Sequence, residues 1–450
     1  MKLIVCAKVI QNELNVFDAA ALECALRLSD DVTMLTMGPP SAKTVLERVT
    51  RLGVKAILLT DPAFAGADTL ATAYTLSCAL KKLSYDCILC GRQATDGDTA
   101  QTGPCLAAKL GLPLLANVME LPTMGKTVSA VTREGKQRAH LPLLMTMERI
   151  CDLRFPSIRS KTSEVVVWHL EDIAANPDKC GLAGSPTRVL RVFENHLGER
   201  KCRFIQMEEL LPLVQKLVMQ EHKLSKPVPS PVRLDCVYTV GRGVKAFAQS
   251  VAWKVVCLSP DSAEQIARVV REKQIRFLLW NGDLWSKKTA PMVAAMLETG
   301  LCADCIQLET DGKKLYMYRP AREGTVTAKI ECRTEPVMAT LRTVESGSDI
   351  LVAGGRGAAR SMEKLRQLAK SLKAEIGSSR ALVDMGLMPY PAQIGLTGRS
   401  VSPRVYIAVG ISGAVQHTCA IENAGAIIAI NPDRNARIFQ YADYGILAAF

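Results

Sequence analysis

The sequence has few aromatic residues, few histidines and no long hydrophobic run. Aromatic residues make up 5% of the 450 residues, there are 5 histidines, and lysine and arginine are spread along the chain. Basic residues that are not interleaved with aromatic ones are not typical of a nucleic-acid interface, so no nucleic acid is expected as a partner. The longest uncharged stretch, residues 405–421, contains polar side chains and glycines, so no membrane insertion is expected.

The cysteines indicate a reducing compartment and no metal site. There are 15 of them, an odd number with scattered spacing, which favours the cytoplasm over a disulfide-forming environment. Cys87 and Cys90 fall on one predicted strand, where alternation puts their side chains on opposite faces. Cys302 and Cys305 have no second cysteine pair nearby. All four are therefore expected to be buried structural thiols, and no metal is expected.

The order of apolar patterns predicts an α/β fold. Short apolar runs at residues 3–5, 32–37, 56–60 and 87–90 alternate with helical spacing over residues 18–28 and 69–83. This order predicts βαβ units in a doubly wound, mostly parallel sheet. In such sheets ligands bind beyond the carboxyl ends of the strands, and the net charge of +12 suits an anionic ligand or an acidic protein partner.

A proline-rich segment and an internal repeat predict the domain organisation. Residues 89–113 and 278–301 share the order strand, glycine loop, threonine-alanine pair and alanine-rich helix, although chance similarity of composition is the alternative. The prolines near residue 229 favour an extended spacer. The predicted segments are 1–221, a linker at 222–233, 234–345 and 346–450. The first and third are expected to be pseudo-symmetric doubly wound α/β domains, and the last a parallel-sheet domain.

A glycine-containing loop at residues 91–104 follows a buried strand and opens a helix. Small residues there let backbone N–H groups approach a phosphate, and a helix N-terminus adds partial positive charge. The loop has no Gly-Lys-Ser/Thr ending, so it is not a Walker loop. A plain helix start capped by Asp98 or Thr99 is the alternative, and these residues alone do not separate the two.

Five loops in the last hundred residues carry glycine, hydroxyl, amide or cationic groups, most of them at predicted strand ends. They lie at residues 354–357, 377–380, 393–398, 412–417 and 431–433. Together they predict a cleft for a large, polar, phosphate-bearing ligand.

These motifs resemble those of electron-transfer flavoproteins. The sequences Gly-Gly-Arg-Gly at 354–357 and Gly-Ser-Ser-Arg at 377–380, with residues 406–417 and 429–445, resemble the flavin domain of the α subunit. Residues 1–220 resemble the β subunit at 37–40, 64–72, 91–104 and 181–187, and residues 234–343 resemble the first α domain at 319–321 and 338–340. The chain therefore looks like a natural β–α fusion.

The resemblance implies an electron carrier with FAD in the last domain. Arg380 would supply a cation that favours an anionic flavin, Thr397 would hydrogen-bond flavin N5, and His417 would hydrogen-bond the carbonyl edge of the ring. Leu396 stands where the family usually has glutamine. The residues that the resemblance assigns to FAD are Arg356, Ser379, Arg380, Ile394, Gly395, Leu396, Thr397, Ser412, Gly413, Ala414, Val415, Gln416, His417 and Asn431.

The resemblance also implies a second nucleotide in the N-terminal half, either AMP or a second FAD. The sequence of residues 96–101 resembles that of the electron-bifurcating group, in which NADH reduces the second flavin. The connection between Lys8 and Asn15, which contributes to the same pocket, is shorter than in the family. The residues assigned to this site are Cys6, Asn15, Val16, Phe17, Asp18, Met37, Gly91, Arg92, Gln93, Ala94, Thr95, Asp96, Gly97, Asp98, Thr99, Ala100, Gln101 and Thr102.

The loop at residues 181–187, called the recognition loop below, resembles the family's partner-recognition loop. The resemblance implies an acyl-CoA dehydrogenase-like or other flavoenzyme as partner, with ferredoxin or flavodoxin as a further acceptor. The alternative function is a nucleotide-binding module of the same fold that has lost electron transfer.

Overall fold

A computed structural model describes residues 1–194, 200–220, 227–259, 262–322, 324–342, 344–345 and 348–450. The chain forms two compact units. Unit 1 consists of Met1–Val192, Pro229–Arg322 and Ala328–Leu341, and unit 2 consists of Phe193–Val228, Glu323–Thr327 and Arg342–Phe450. Residues 222–226 of the predicted linker and residues 343, 346 and 347 at the predicted third boundary lie outside the described residues.

The strands are β1 (Lys2–Cys6), β2 (Val9–Ile10), β3 (Glu13–Leu14), β4 (Asp31–Met37), β5 (Lys55–Leu59), β6 (Cys87–Gly91), β7 (Leu114–Val118), β8 (Thr127–Thr132), β9 (Gly135–His140), β10 (Leu143–Met147), β11 (Val165–Trp168), β12 (Thr187–Glu194), β13 (Arg203–Phe204), β14 (Leu234–Val240), β15 (Ala252–Leu258), β16 (Phe277–Trp280), β17 (Leu301–Cys305), β18 (Gln307–Thr310), β19 (Leu315–Ala321), β20 (Val326–Cys332), β21 (Val337–Leu341), β22 (Val344–Glu345), β23 (Ile350–Gly354), β24 (Glu375–Ser378), β25 (Ser400–Val401), β26 (Val405–Val409), β27 (Ala426–Ile430) and β28 (Tyr444–Ile446).

The α-helices are α1 (Val16–Leu28), α2 (Lys43–Thr50), α3 (Thr69–Leu80), α4 (Thr102–Leu110), α5 (Leu210–Val218), α6 (Lys245–Val251), α7 (Ala263–Glu272), α8 (Leu284–Met296), α9 (Met362–Ser371), α10 (Arg380–Asp384) and α11 (Val415–Thr418). Short 3-10 helices lie at Pro40–Ala42, Pro62–Phe64, Pro177–Lys179, Met207–Glu209, Arg356–Ser361, Tyr390–Ala392 and Arg437–Gln440.

The first sheet of unit 1 confirms the predicted doubly wound α/β fold. Its order is β11-β5-β4-β1-β6-β10-β7-β8-β9, parallel from β11 to β7 and closed by the antiparallel strands β8 and β9. Strand β1 is apolar on both sides because both faces of the sheet are covered there: Leu3 and Val5 pack into one core, and Ile4 and Cys6 into the other. The strand order reverses between β1 and β6, which is where ligands bind in such sheets.

The second sheet of unit 1 repeats the first. Its order is β15-β14-β16-β21-β17, which corresponds strand for strand to β4-β1-β6-β10-β7. The correspondence extends to a local irregularity: Asn117 and Asp304 both have φ of 56°, and each donates its N–H to a threonine hydroxyl at 2.8 Å, Thr146 and Thr340 respectively. Helices α4 and α8, the two copies of the repeated helix, pack against each other. The predicted repeat is therefore present as two similar α/β halves.

Unit 2 is built on a parallel sheet in the order β13-β28-β27-β26-β23-β24. Helix α5 covers it, because Leu210, Val214 and Leu217 pack into the same core as Val352 and Ile407. The predicted segment 1–221 is thus divided between the two units: its last part carries an apolar helix face that is buried on the C-terminal domain. No helix within the described residues has the length and apolar character needed to span a bilayer.

Candidate nucleotide sites

Unit 1 contains a cavity of about 830 Å³ at the carboxyl ends of β1, β4, β5 and β6. The predicted residues in its lining are Cys6, Asp18, Met37, Gly91, Arg92, Gln93, Ala94, Asp96, Gly97, Thr99, Ala100, Gln101 and Thr102. The predicted residues outside this lining are Asn15, Val16, Phe17, Thr95 and Asp98. Other parts of the wall come from residues 7–9, 38–40 and 60–72, from Leu76 and His169, from β12 and from the second half of unit 1.

The loop before α4 presents backbone N–H groups to the cavity. Within the described residues, the N–H groups of Thr99, Ala100 and Gln101 have no hydrogen-bond acceptor, and all three residues line the cavity. Asp98 and Ala100 adopt the left-handed conformation, with φ of 51° and 54°. Successive N–H groups that converge in this way form an anion-binding concavity, and the start of α4 adds partial positive charge. The geometry therefore favours phosphate binding over a plain helix cap.

Asp18 holds the loop in place. Its carboxylate accepts hydrogen bonds from the backbone N–H groups of Lys8, at 2.8 Å, and Gly91, at 2.9 Å, so it ties the end of β1 to the end of β6. Burial raises the pKa of Asp18 to about 6, although both N–H groups oppose the shift. A Cβ at Gly91 would lie 2.3 Å from the Asp18 carboxylate, so only glycine fits here.

Asn15 also positions the loop from behind the cavity wall. Its side-chain amide donates to the carbonyl of Gln93 at 2.8 Å and accepts from the N–H of Thr95 at 3.3 Å. The shortened connection before it is the hairpin β2–β3, whose turn residues Gln11 and Asn12 have φ of 51° and 63°. The short connection is thus a complete two-residue hairpin.

Arg92 makes protein contacts at the edge of the cavity. Its guanidinium lies 4.9 Å from the centre of the Phe17 ring and 3.2 Å from the Glu148 carboxylate, which also pairs with Arg133 at 2.6 Å. The Arg92 guanidinium is therefore paired within the protein, to a carboxylate that it shares with Arg133.

Arg319 is a residue of the cavity wall that the site prediction missed. It lies on β19 and is only 6% exposed, and its Nε has no hydrogen-bond partner among the described residues. A buried cation that lacks a partner is costly unless a ligand supplies an anion. The sequence contained a signal for it, because Leu315, Met317 and Arg319 alternate along one strand and share its buried face.

The second candidate site lies at the carboxyl edge of the sheet in unit 2. Ser378, Gly354, Val409 and Ile430, each at the end of its strand, are neighbours in register across β24, β23, β26 and β27. The loops that follow these strands therefore begin side by side, at the point where the strand order reverses. They approach closely: a Cβ at Gly355 would lie 2.3 Å from the carbonyl oxygen of Gly410.

The groups at this edge fit a phosphate-bearing dinucleotide such as FAD. Within the described residues, the backbone N–H groups of Ser412, Gly413 and Ala414 have no hydrogen-bond acceptor. The buried hydroxyl of Ser378 also lacks a partner there. These donors suit phosphate and ribose oxygens. Arg356, in the loop after β23, is exposed, as is Gln416.

Arg380 and Thr397 lie on two different loops of this edge. Arg380 begins α10, directly after Ser379, and its guanidinium pairs with Asp384 at 3.3 Å. The Thr397 hydroxyl accepts a hydrogen bond from the side-chain amide of Gln393 at 2.7 Å. The Leu396 N–H donates to the carbonyl of Gln416 at 2.6 Å, so the loop of Ile394–Thr397 is joined to that of Ser412–His417.

His417 and Asn431 have structural tasks that differ from the predicted contacts with flavin. The Nδ1–H of His417 donates to the carbonyl of Ile394 at 3.0 Å, and its Nε2 accepts from the Tyr406 hydroxyl at 2.8 Å. Burial lowers the pKa of His417 to about 4, so the ring is neutral and has no further N–H for the carbonyl edge of a flavin. The Asn431 amide donates to Ile411 and accepts from Asp433, each at 2.9 Å.

The structure is thus an α/β protein with two candidate nucleotide sites at the carboxyl ends of parallel strands. Comparison with known proteins then gives its family. Residues 3–171 and 255–363 match the electron transfer flavoprotein domain, and residues 346–422 match the electron transfer flavoprotein FAD-binding domain.

Three relatives match different parts of the chain. A FixA protein of Azorhizobium caulinodans is 37% identical over 246 residues, 49% of this chain and 88% of the relative. An electron transfer flavoprotein subunit alpha of Thermoanaerobacterium thermosaccharolyticum is 33% identical over 232 residues, 41% of this chain and 70% of the relative. The caffeyl-CoA reductase-Etf complex subunit CarD of Acetobacterium woodii is 39% identical over 196 residues, 40% of this chain and 75% of the relative.

The chain belongs to the electron transfer flavoprotein family. Its N-terminal half is similar to β subunits and its C-terminal half to α subunits, which is consistent with a fusion in one chain. The predicted family and fold class are thus confirmed.

Proposed function

We propose that this protein is a single-chain electron carrier with one FAD on the loops of unit 2 and a second FAD in the cavity of unit 1, reduced by NADH. The observation that carries the second part is the cavity itself, with a phosphate-type loop on one wall and, on another, Arg319, whose Nε has no hydrogen-bond partner among the described residues. The first part is supported by the match of residues 346–422 to the family's FAD-binding domain.

The size of the cavity favours a dinucleotide over AMP. Its volume of about 830 Å³ lies in the upper part of the usual range for ligand pockets. The N–H groups of Thr99, Ala100 and Gln101 would bind phosphate, and Arg319 would bind a second anionic or carbonyl group. AMP has a single phosphate and would use only the phosphate loop or Arg319, whereas a dinucleotide can contact both.

Each residue has a task that does not depend on the flavin's own chemistry. A bound FAD supplies the transfer of electrons, and the protein supplies binding, orientation and charge. In unit 1, Asp18 and Asn15 fix the phosphate loop. In unit 2, His417 and Asn431 fix the loops beside the strand ends, and Arg380 supplies positive charge at the start of α10.

The recognition loop supports a role in contact with a partner flavoenzyme. Leu182 in this loop is 66% exposed. The relative CarD is named as a subunit of a caffeyl-CoA reductase complex, so a related CoA-ester flavoenzyme is the partner we propose. Ferredoxin or flavodoxin would be the second acceptor if electrons are bifurcated.

Anaerobic titration with NADH tests the proposal. We expect NADH to bleach the visible absorbance of the flavin in protein that holds two FAD per chain, with NADPH as the control nucleotide. If FAD is present but NADH does not reduce it, the protein would be a simple electron carrier and the proposed oxidation of NADH would be wrong. Colourless protein that takes up no added FAD would contradict electron transfer and favour the nucleotide-binding module.

A further inference from the structure

We propose that a nucleotide in the unit 1 cavity orders the recognition loop through Asp68, so that nucleotide occupancy and partner binding are coupled. This inference rests on the proposed function, because it takes the cavity as a nucleotide site. Asp68 would be a positioning residue, with no contact to the reacting atoms required.

The Asp68 carboxylate joins the cavity wall to the recognition loop. One oxygen accepts from the N–H groups of Leu70, at 2.9 Å, and Ala71, at 3.1 Å, and so caps α3. The other accepts from the N–H of Thr187, at 3.0 Å, and from its hydroxyl, at 2.7 Å. Both Asp68 and Thr187 line the cavity. A single carboxylate therefore makes four hydrogen bonds, two on each side.

The rest of the loop is joined to the same wall. The Asp68 N–H donates to the hydroxyl of Ser185 at 2.7 Å, and this hydroxyl donates to the carbonyl of Gly181 at 2.6 Å. The Leu182 N–H donates to the carbonyl of Ala65 at 2.9 Å, and Ala65 lines the cavity. Leu182, whose side chain is exposed, is thus joined to the cavity wall directly by its backbone N–H.

Two glycines show how closely the loop fits. A Cβ at Gly181, whose φ is 51°, would lie 2.2 Å from the carbonyl oxygen of Ala63. A Cβ at Gly184 would lie 2.1 Å from the carbonyl carbon of Lys179. A shift of the wall would be transmitted to the loop at Gly181, whose backbone is in direct contact with Ala63, and the approach of Gly184 to Lys179 shows that the loop itself is tightly folded.

The physical consequence is reciprocal coupling. A ligand that packs against residues 65–69 stabilises the wall and hence the hydrogen bonds that close the loop. If occupancy of the cavity disfavours opening of the loop by some factor, then holding the loop closed must increase nucleotide affinity by the same factor. A partner that binds only the closed loop would then bind the nucleotide-bound protein more tightly than the nucleotide-free protein.

Amide hydrogen exchange of residues 181–187 tests the coupling. Nucleotide-free protein is compared with protein saturated with AMP or with FAD, after calorimetry has verified binding. We expect exchange at Leu182 and Thr187 to slow by at least about fivefold on loading, the lower end of typical allosteric coupling. In Asp68→Asn the slowing should fall below about twofold, because one amide group cannot accept all four hydrogen bonds.

A matched control lies in the same wall. Asp61 also lines the cavity, and its carboxylate accepts from the N–H groups of Ala63, at 2.9 Å, and Leu170, at 3.1 Å. Asp61→Asn should keep the fivefold slowing in the recognition loop. Ser185→Ala is the second test variant, used if Asp68→Asn does not fold, because Ser185 joins the loop to the Asp68 N–H without lining the cavity.

The outcomes separate this inference from the proposed function. Binding of AMP or FAD with unchanged exchange in the recognition loop would contradict the coupling and leave the nucleotide site intact. Equal slowing in the wild type and in the variants of Asp68 and Ser185 would also contradict it. Wild-type protein that binds neither nucleotide would contradict the proposed function and the coupling together.

Discussion

Replacement of Arg319 by methionine should weaken nucleotide binding without destabilising the empty protein. Methionine keeps most of the buried stem and removes the charge. A hydrogen bond between a charged group and its partner is worth about 1.5–3 kcal/mol, which corresponds to about a 10- to 150-fold increase in Kd. Because the Arg319 Nε has no partner among the described residues, the empty protein loses no such interaction, and its melting temperature should stay the same or rise.

Calorimetric titration of nucleotide-free protein with AMP and with FAD measures the first effect, and thermal unfolding measures the second. Arg276→Met is the matched control. Arg276 lies in the same half of unit 1 and pairs with Glu335 at 2.8 Å, and it does not line the cavity, so both Kd values should be unchanged. An unchanged Kd in Arg319→Met, or a marked loss of stability of the empty variant, would refute the reasoning.

Three further predictions concern single residues. Gly91→Ala should destabilise the protein by about 1–3 kcal/mol in urea unfolding, because the added Cβ would lie 2.3 Å from Asp18. Gly97→Ala is the control: an added Cβ there would have no atom within 4 Å, so the stability should change by less than about 0.5 kcal/mol. The pKa of Asp18 is raised from 3.8 to about 6. At pH values between these two, the folded protein therefore holds a proton that the unfolded chain has released. The stability of the wild type relative to Asp18→Asn should therefore fall as the pH rises from about 4 to about 6 and stay level above that; a level difference throughout would contradict the role of Asp18. Arg380→Ala should make the first reduction potential of bound FAD more negative in spectroelectrochemical titration, while Arg366→Ala, on the surface of α9, should not change it. An unchanged potential in an Arg380 variant that still binds FAD would remove Arg380 from this role.

Much of the fold followed from local patterns in the sequence. The apolar runs predicted β1, β4, β5 and β6 to within one or two residues, because strands buried on both faces need continuous apolar sequence. The repeat of residues 89–113 and 278–301 was visible in the order of its patterns, and its two helices, α4 and α8, pack against each other. The proline-rich stretch was a weaker guide to the domain organisation, because it did not indicate that α5, which precedes it, packs on the C-terminal sheet.

The sites were only partly predictable, because hydrogen-bond partners distant in sequence decide what a polar side chain does. Asp18 was assigned to the nucleotide site and lines the cavity, and its carboxylate accepts hydrogen bonds from the N–H groups of Lys8 and Gly91, which no local pattern indicated. His417 was expected to reach the flavin, and Ile394 and Tyr406 use both of its nitrogens. Such assignments depend on tertiary contacts that no local pattern contains.

Quantifying the nucleotides released by denaturation tests the central claim most directly. The protein is purified without added cofactor, denatured, and its FAD and AMP are separated and counted against the protein. We predict two FAD per chain, one from each unit. One FAD with one AMP would contradict the second flavin site, and no FAD at all would contradict the account of this protein as an electron carrier.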